Sequence, residues 1–136
     1  MRIFLSLAAL GLIASAVTAA SPTQSDREAK QAAVLEKALI GKVAGKPTGC
    51  ITLSRVSSSQ TISENAIIYR ESSNKLYVNT PRGGCSGLRD GRTLITRTPS
   101  DRLCSGDIAR VVDLSVGFEV ASCVLGEFTP YTKIRG

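Results

Sequence analysis

Four single cysteines constrain this chain more than any other feature. Cys50, Cys85, Cys104 and Cys123 are far apart, none forms a CxxC pair, and the 136 residues include no histidine. Structural zinc sites draw on closely spaced cysteines or on histidines, so a metal site has little to build on, and none is expected. An even number of cysteines in a small exported chain reads instead as a disulfide framework. Which cysteine joins which is not decided by the spacing: four allow three connectivities.

The export reading comes from the first twenty residues. Met1-Arg2 gives a positive start, positions 3–17 are almost wholly apolar, and Val17-Thr18-Ala19-Ala20 ends the run in small residues. A charged start, an apolar stretch of about 15 residues and a small-residue end are the parts of a secretory signal peptide. The stretch falls short of the roughly 20 apolar residues that span a bilayer. Cleavage is expected near Ala20, leaving a periplasmic or secreted protein with no transmembrane segment.

Without residues 1–20 the chain has 116 residues, room for one domain. Its formal net charge is +5, and 43 of the 116 residues are apolar. That is a thin core for a domain this small, which is where covalent bridges add most.

Along the chain, Ser25-Asp26-Arg27-Glu28 matches a capping box. Ala29, Ala32, Ala33, Leu35, Ala38 and Leu39 follow, and Gly41 suits a helix end; one helix over about 26–40 is predicted. Three glycines and a proline in 41–49 read as a linker. Beyond it the pattern turns to β, with strands expected at 50–53, 60–62, 66–70, 75–79, 93–96, 108–113 and 118–125. The predicted fold is mainly β: a small barrel or sandwich of about six or seven short strands with one N-terminal helix, disulfide-stabilised. The expected division is a signal peptide at 1–20, helix and linker at 21–48, and a compact β domain at 49–136.

Several pieces recur together in a known family. They are Gly41-Lys42-Val43-Ala44-Gly45-Lys46-Pro47 leading into Cys50-Ile51, Ile67-Ile68-Tyr69-Arg70, Leu76-Tyr77-Val78-Asn79, Leu103-Cys104-Ser105 before Asp107, and Leu125-Gly126-Glu127-Phe128. On these, over roughly residues 38–131, the chain resembles an uncharacterised family of small exported proteins of alphaproteobacteria such as sphingomonads and caulobacters. The resemblance implies a Gram-negative exported protein and supplies no catalytic residue. It also implies the pairs Cys50–Cys104 and Cys85–Cys123, because relatives without counterparts of Cys85 and Cys123 exist. Of these, the bridge from Cys50 is expected to matter more for folding, since Cys85 lies in a Gly-rich loop that can relax.

Absence of histidine removes every Ser-His-Asp and Cys-His scheme. Ser72-Ser73-Asn74-Lys75 formally matches S-x-x-K, but it sits between two β runs without the companion motifs of that chemistry, so a turn is the better reading. Gly83-Gly84-Cys85-Ser86-Gly87, with Arg82 and Arg89 beside it, could present backbone N–H groups to an anion; a loop bending around a disulfide accounts for the glycines as well. Asp90, Asp101, Asp107, Asp113, Glu119 and Glu127 are scattered, and a glycosidase would need two carboxylates about 5–10 Å apart.

Arg82, Arg89, Arg92, Arg97, Arg102 and Arg110 lie within 29 residues that hold three Asp. Such a stretch can form a basic contact face, or an ordinary surface of local Arg–Asp pairs. The resulting expectation is a non-enzymatic binding or structural module without a cofactor, whose partner is an acidic envelope polymer or an acidic protein; no nucleic acid partner is expected. The alternatives are a small inhibitor acting on an envelope-directed enzyme through a disulfide-pinned loop such as 80–88, and a weak enzyme.

Overall fold

The computed structural model describes residues 21–89 and 91–135. The expected signal peptide and the carboxylate of Asp90 lie outside the described residues. Helix α1 spans Gln24–Leu39. Its capping box is shifted from the expected one: Thr23 is the N-cap, its hydroxyl accepting from the Asp26 amide while the Asp26 carboxylate accepts from the Thr23 amide. Thr23 wins because it stands where the chain is still extended, with its side chain free to bond the first turn. Gly41, at φ +71°, leaves the helix through a left-handed turn that other residues adopt only with strain.

Ten strands follow: β1 (Lys42–Ala44), β2 (Cys50–Thr52), β3 (Ser58–Ser63), β4 (Ala66–Arg70), β5 (Lys75–Asn79), β6 (Arg92–Thr96), β7 (Arg102–Cys104), β8 (Ile108–Asp113), β9 (Phe118–Val124) and β10 (Phe128–Lys133). They form three antiparallel sheets, ordered β1-β10-β5-β4-β3, β2-β7 and β6-β8-β9. The mainly β class holds, but the sheets do not close into a barrel; they pack as layers. The segment expected to be a linker is corrected: Lys42–Ala44 pair with Tyr131–Lys133, which ties the start of the chain to its end.

Strand β4 explains the layering. Ala66 and Ile68 point to one side, Ile67 and Tyr69 to the other, and all four are buried. A near-continuous apolar run of this kind marks a strand covered on both faces. On one side Ile62, Ala66, Ile68 and Leu76 pack under Leu35, Ala38 and Leu39 of α1. Ala29, Ala32 and Ala33, expected to belong to the helix's apolar stripe, are exposed. On the other side Ile67, Tyr69 and Phe128 meet Leu103, Val111 and Leu125 in the main core. Tyr69 and Phe128 touch edge to face, centroids 5.6 Å apart.

Strand β10 carries Pro130, which argues against an interior strand by sequence. Its placement removes the objection. Phe128 exchanges both backbone hydrogen bonds with Thr48, at 2.9 Å each, and the Pro130 carbonyl accepts from Gly45 at 2.7 Å. Alternate residues of β10 therefore face the β1 side, and the missing N–H of Pro130 removes nothing from the ladder to β5. A side chain on Gly45 would meet the Pro130 ring at 3.1 Å, so that glycine and that proline fit together.

Cys50 is joined to Cys104 and Cys85 to Cys123, the pairs the resemblance implies. The first staples directly opposed residues of β2 and β7. The second lies inside the main core: Cys85 is fully buried and Cys123 nearly so, whereas Cys50 and Cys104 are half-buried. The relaxable loop expected around Cys85 is thus a packed one, with Pro81 and Leu88 buried beside it.

Candidate binding surface

The six arginines do not share one face. Arg92, at the start of β6, is half-buried, paired with Asp113 at 3.3 Å and bonded to the Gly87 carbonyl at 2.8 Å. Arg110 on β8 pairs with Glu119 on β9 at 3.1 Å. Arg82 donates to the Ser105 hydroxyl at 3.0 Å. Arg97 and Arg102 are exposed after β6 and on β7. Arg89 turns toward α1, where it lines a groove with Arg27 and Lys30. The structure thus unites Arg89 with two helix cations that the sequence reading left out, and it neutralises Arg92 and Arg110 locally.

The Gly-rich loop after β5 already has its anion. The Gly87 amide donates to the Glu64 carboxylate at 2.7 Å, the Cys85 amide to the Glu64 carbonyl at 2.6 Å and the Gly84 amide to the Pro81 carbonyl at 3.1 Å. Two of the donors that could have cradled a ligand, the Cys85 and Gly87 amides, are thus taken up by Glu64 of the β3–β4 turn. The Ser72–Lys75 segment is the β4–β5 turn, with the Glu71 and Ser72 amides both donating to the Lys75 carbonyl. Three of the scattered carboxylates accept hydrogen bonds within the fold: Asp107 from the Cys104 amide at 2.7 Å and Asp113 from Ser115, each within a turn, and Asp101 from Ser54, 47 residues away in the sequence. Among the described residues, no group of three or more His, Cys, Asp or Glu is placed to hold a metal ion.

A cleft of about 280 Å³ opens between β3–β4 and β6, with Ile67, Tyr69 and Leu94 at its floor and Ser59, Thr61 and Thr93 at its rim. Burial pushes the Tyr69 hydroxyl up to about 12, so it stays protonated as a hydrogen-bonding group.

The feature that stands out lies on the other side of the three-stranded sheet. Its inner face, with Leu94, Val111 and Cys123, packs into the main core. Its outer face mixes exposed apolar side chains with the Arg110–Glu119 ion pair and Ser122. Ile108 and Val124 oppose one another there, Ile95 opposes Arg110, and all three apolar side chains are exposed, as is Val120 at the bulge of β9. The β8–β9 turn adds Leu114 and Val116, and Phe118 opens β9 beside them; the three are exposed by 66, 59 and 72%. Seven of the eleven exposed large apolar side chains among the described residues belong to this one sheet and its turn. Single exposed apolar residues are ordinary; seven on one sheet and its turn, at the two ends of the face with Arg110 and Glu119 between them, make this the candidate contact surface.

That turn is held in a fixed shape. Asp113 accepts from both the hydroxyl and the amide of Ser115, the Gly117 amide donates to the Asp113 carbonyl at 2.8 Å, and the Leu114 amide donates to the Gly91 carbonyl at 2.9 Å. Gly117 takes φ +72°, closed to most other residues. The hydrogen bonds from Ser115, assisted by Arg92 and opposed by desolvation, hold the Asp113 carboxyl below its ordinary range. The sequence showed this region as strand, but Ile108-Ala109-Arg110-Val111-Val112 is apolar at both parities, so alternation could not say which face meets the core. The visible signal was Leu114-Ser115-Val116-Gly117-Phe118, three large apolar residues in what had to be a turn.

No curated protein and no solved structure matches the chain. Residues 1–133 match the model of a family of unknown function, DUF6491, and the chain belongs to that family.

Proposed function

We propose that this protein is a non-enzymatic binding module of the alphaproteobacterial envelope, exported by a signal peptide cleaved near Ala20 and docking through the outer face of β6–β8–β9. The two disulfides support an oxidising compartment outside the cytoplasm. The observation that carries the docking role is the set of exposed apolar side chains on the outer face, with its fixed turn. A rigid display of Leu114, Val116 and Phe118 loses little conformational freedom on contact, which is what preorganised binding surfaces exploit. The partner is acidic, in keeping with the surplus of Lys and Arg over Asp and Glu.

A second reading, an inhibitor of an envelope-directed enzyme, draws on the same turn. Its expected loop at 80–88 is packed into the body, whereas 113–118 projects with its shape fixed. Photo-crosslinking tests both. A photoreactive residue is placed at Ile108, at Phe118, or at Ser57 beyond the sheet, and the oxidised protein is illuminated with isolated envelopes. Adducts from Ile108 and Phe118 but not from Ser57 are expected. Equal yields from all three would remove the outer face as the docking surface, and one enzyme recovered from Phe118 would favour the inhibitor.

A further inference from the structure

We infer that the cleft between β3 and β6 is a peptide-binding site, in which an extended segment of a partner protein adds as a strand between two open sheet edges. The site is separate from the outer face of β6–β8–β9 and does not depend on it.

Both walls of the cleft are edges. β3 ends the five-stranded sheet and β6 ends the three-stranded one. Ser59 and Thr61 of the first line the same cleft as Thr93, Leu94 and Thr96 of the second. In an antiparallel ladder alternate residues turn their backbone groups toward the partner strand and away from it, so one fixed pair sets the phase of each strand. On β6 the fixed pair is Gly91 with Leu114, whose amide donates to the Gly91 carbonyl. Thr93 and Ile95 therefore bond β8, and Leu94 and Thr96 turn their N–H and C=O groups outward. On β4 the Glu71 amide donates to the Lys75 carbonyl, so Tyr69 bonds β5 while Ile68 and Arg70 bond β3. Gln60 and Ser58 are their partners, which leaves Ser59 and Thr61 turned outward. The open edge starts at Ser59, because the Ser57 amide and hydroxyl both donate to the Arg70 carbonyl. Among the described residues, no backbone hydrogen bond fills the outward groups of Ser59, Thr61, Leu94 or Thr96.

An open edge is a template for a further strand, and proteins usually blunt one. The other outer strands of these two sheets are blunted: β1 has three residues, one of them Lys42, and β9 is bridged at Val124 by Arg82. β3 runs for six residues, Ser58-Ser59-Gln60-Thr61-Ile62-Ser63, with neither charge nor proline, and its bulge at Ile62 lies past the cleft. The floor suits a strand as well. Ile67 and Leu94 are apolar, and Tyr69, 6% exposed, brings a hydroxyl without a partner among the described residues. A strand laid there turns every second side chain onto that floor. The partner segment therefore carries small apolar residues at alternate positions, while its backbone supplies the hydrogen bonds. A compact ligand would leave most of the two rows unpaired.

The oxidised protein is followed by amide exchange in NMR, alone and with a short blocked peptide alternating valine and threonine between two lysines. Alone, the amides of Gln60, Thr93 and Ile95 are expected to exchange at least about tenfold more slowly than those of Ser59, Thr61, Leu94 and Thr96. The peptide is expected to slow the second group by about tenfold. Two N-methylated forms, each with one set of alternate amides blocked, are expected to bind about tenfold more weakly, since each loses its bonds to one edge. Thr61→Pro removes an outward N–H and nothing from the ladder to β4; Ser59→Lys sets a charge on the edge. Each is expected to weaken the peptide about tenfold with a melt near the parent's, and the lysine variant carries the test if the proline variant melts early.

Slow exchange at Ser59, Thr61, Leu94 and Thr96 in dilute free protein would mean that the edges are already closed and would overturn the inference. Absence of protection at millimolar peptide would overturn it too. Protection that grows with the protein's own concentration would put a second copy in the cleft, and the partner assignment falls. Binding lost with one N-methylated form only would mean that a single edge docks, and the shared site falls.

Discussion

The five-stranded sheet and the three-stranded sheet are made of similar strands and finished differently. The larger sheet is covered twice, by α1 over Ile68 and Leu76 and by the main core over Ile67, Tyr69 and Phe128. The smaller one is covered once. Its inner Val111 is fully buried, while its outer Ile108 is 61% exposed. A strand that is apolar on both sides calls for two layers, and among the described residues there is one. On the larger sheet the second layer is light: no residue of α1 is fully buried, yet it suffices to cover Leu76 completely. The contrast teaches how little a second layer requires: sixteen residues of helix cover the comparable face next door, and among the described residues nothing does the same for β6–β8–β9.

The sharpest way to probe the contrast is to unfasten the inner side. Cys85→Ser with Cys123→Ser removes the bridge between the loop after β5 and β9. Its sequence separation of 38 corresponds to about 4 kcal/mol of loop entropy, and burying two serine hydroxyls in the main core adds about 1–3 kcal/mol. The Cys50–Cys104 pair, with a separation of 54, has nearly the same entropic worth but half-buried ends. Denaturant melts should therefore rank the Cys85–Cys123 loss as the more damaging, contrary to the ranking suggested by a Gly-rich loop. An equal or reversed ranking would mean that the main core tolerates hydroxyls.

Next in size is Phe128→Ala. Phe128 is fully buried where β10 meets both cores' shared sheet, and truncation should cost about 3–5 kcal/mol. On the outer face Ile108→Thr should change stability by no more than about 0.5 kcal/mol, because a side chain already in water has little burial to lose. A loss above 1.5 kcal/mol at Ile108 would show that the outer face is internal to the fold and would dissolve the contrast.

The smallest effect concerns the turn. The Asp113 carboxyl should titrate below its ordinary value of 3.8, held down by the Ser115 hydroxyl and amide and then by Arg92. Its folded value being depressed, the clamp is fully present above the unfolded value and is lost as pH falls through the folded one. Carboxyl shifts followed by NMR should show a midpoint under 3.8, with the Ser115 amide moving in step. A midpoint at or above 3.8 would mean that the turn is not clamped.

Much of this fold was legible in the residues. The apolar runs of β4 and β8, the turn between β4 and β5 and the helix of Leu35 and Leu39 follow from periodicity alone. What was missed has local causes. β1 and β7 are three residues each, too short for alternation to show, and β10 was masked by Pro130, whose tolerance depends on Gly45 across the sheet. The candidate surface was hidden for a related reason. Periodicity reports that a residue is apolar but not whether a second layer arrives to cover it, and that depends on where α1 goes. The arginine-rich stretch was plain in the sequence, yet Asp113 and Glu119, which neutralise Arg92 and Arg110, are 21 and 9 residues away from them and approach only through strand pairing.

The central claim, that the outer face of β6–β8–β9 is a docking surface, is tested most directly by separating binding from stability in one variant. Ile95→Thr, Ile108→Thr and Phe118→Ser are combined in the oxidised protein, and its retention on sedimented envelopes is measured beside its denaturant melt. The account predicts that retention falls about tenfold or more while the melt stays within about 1 kcal/mol of the parent. Retention that survives with an unchanged melt would contradict it.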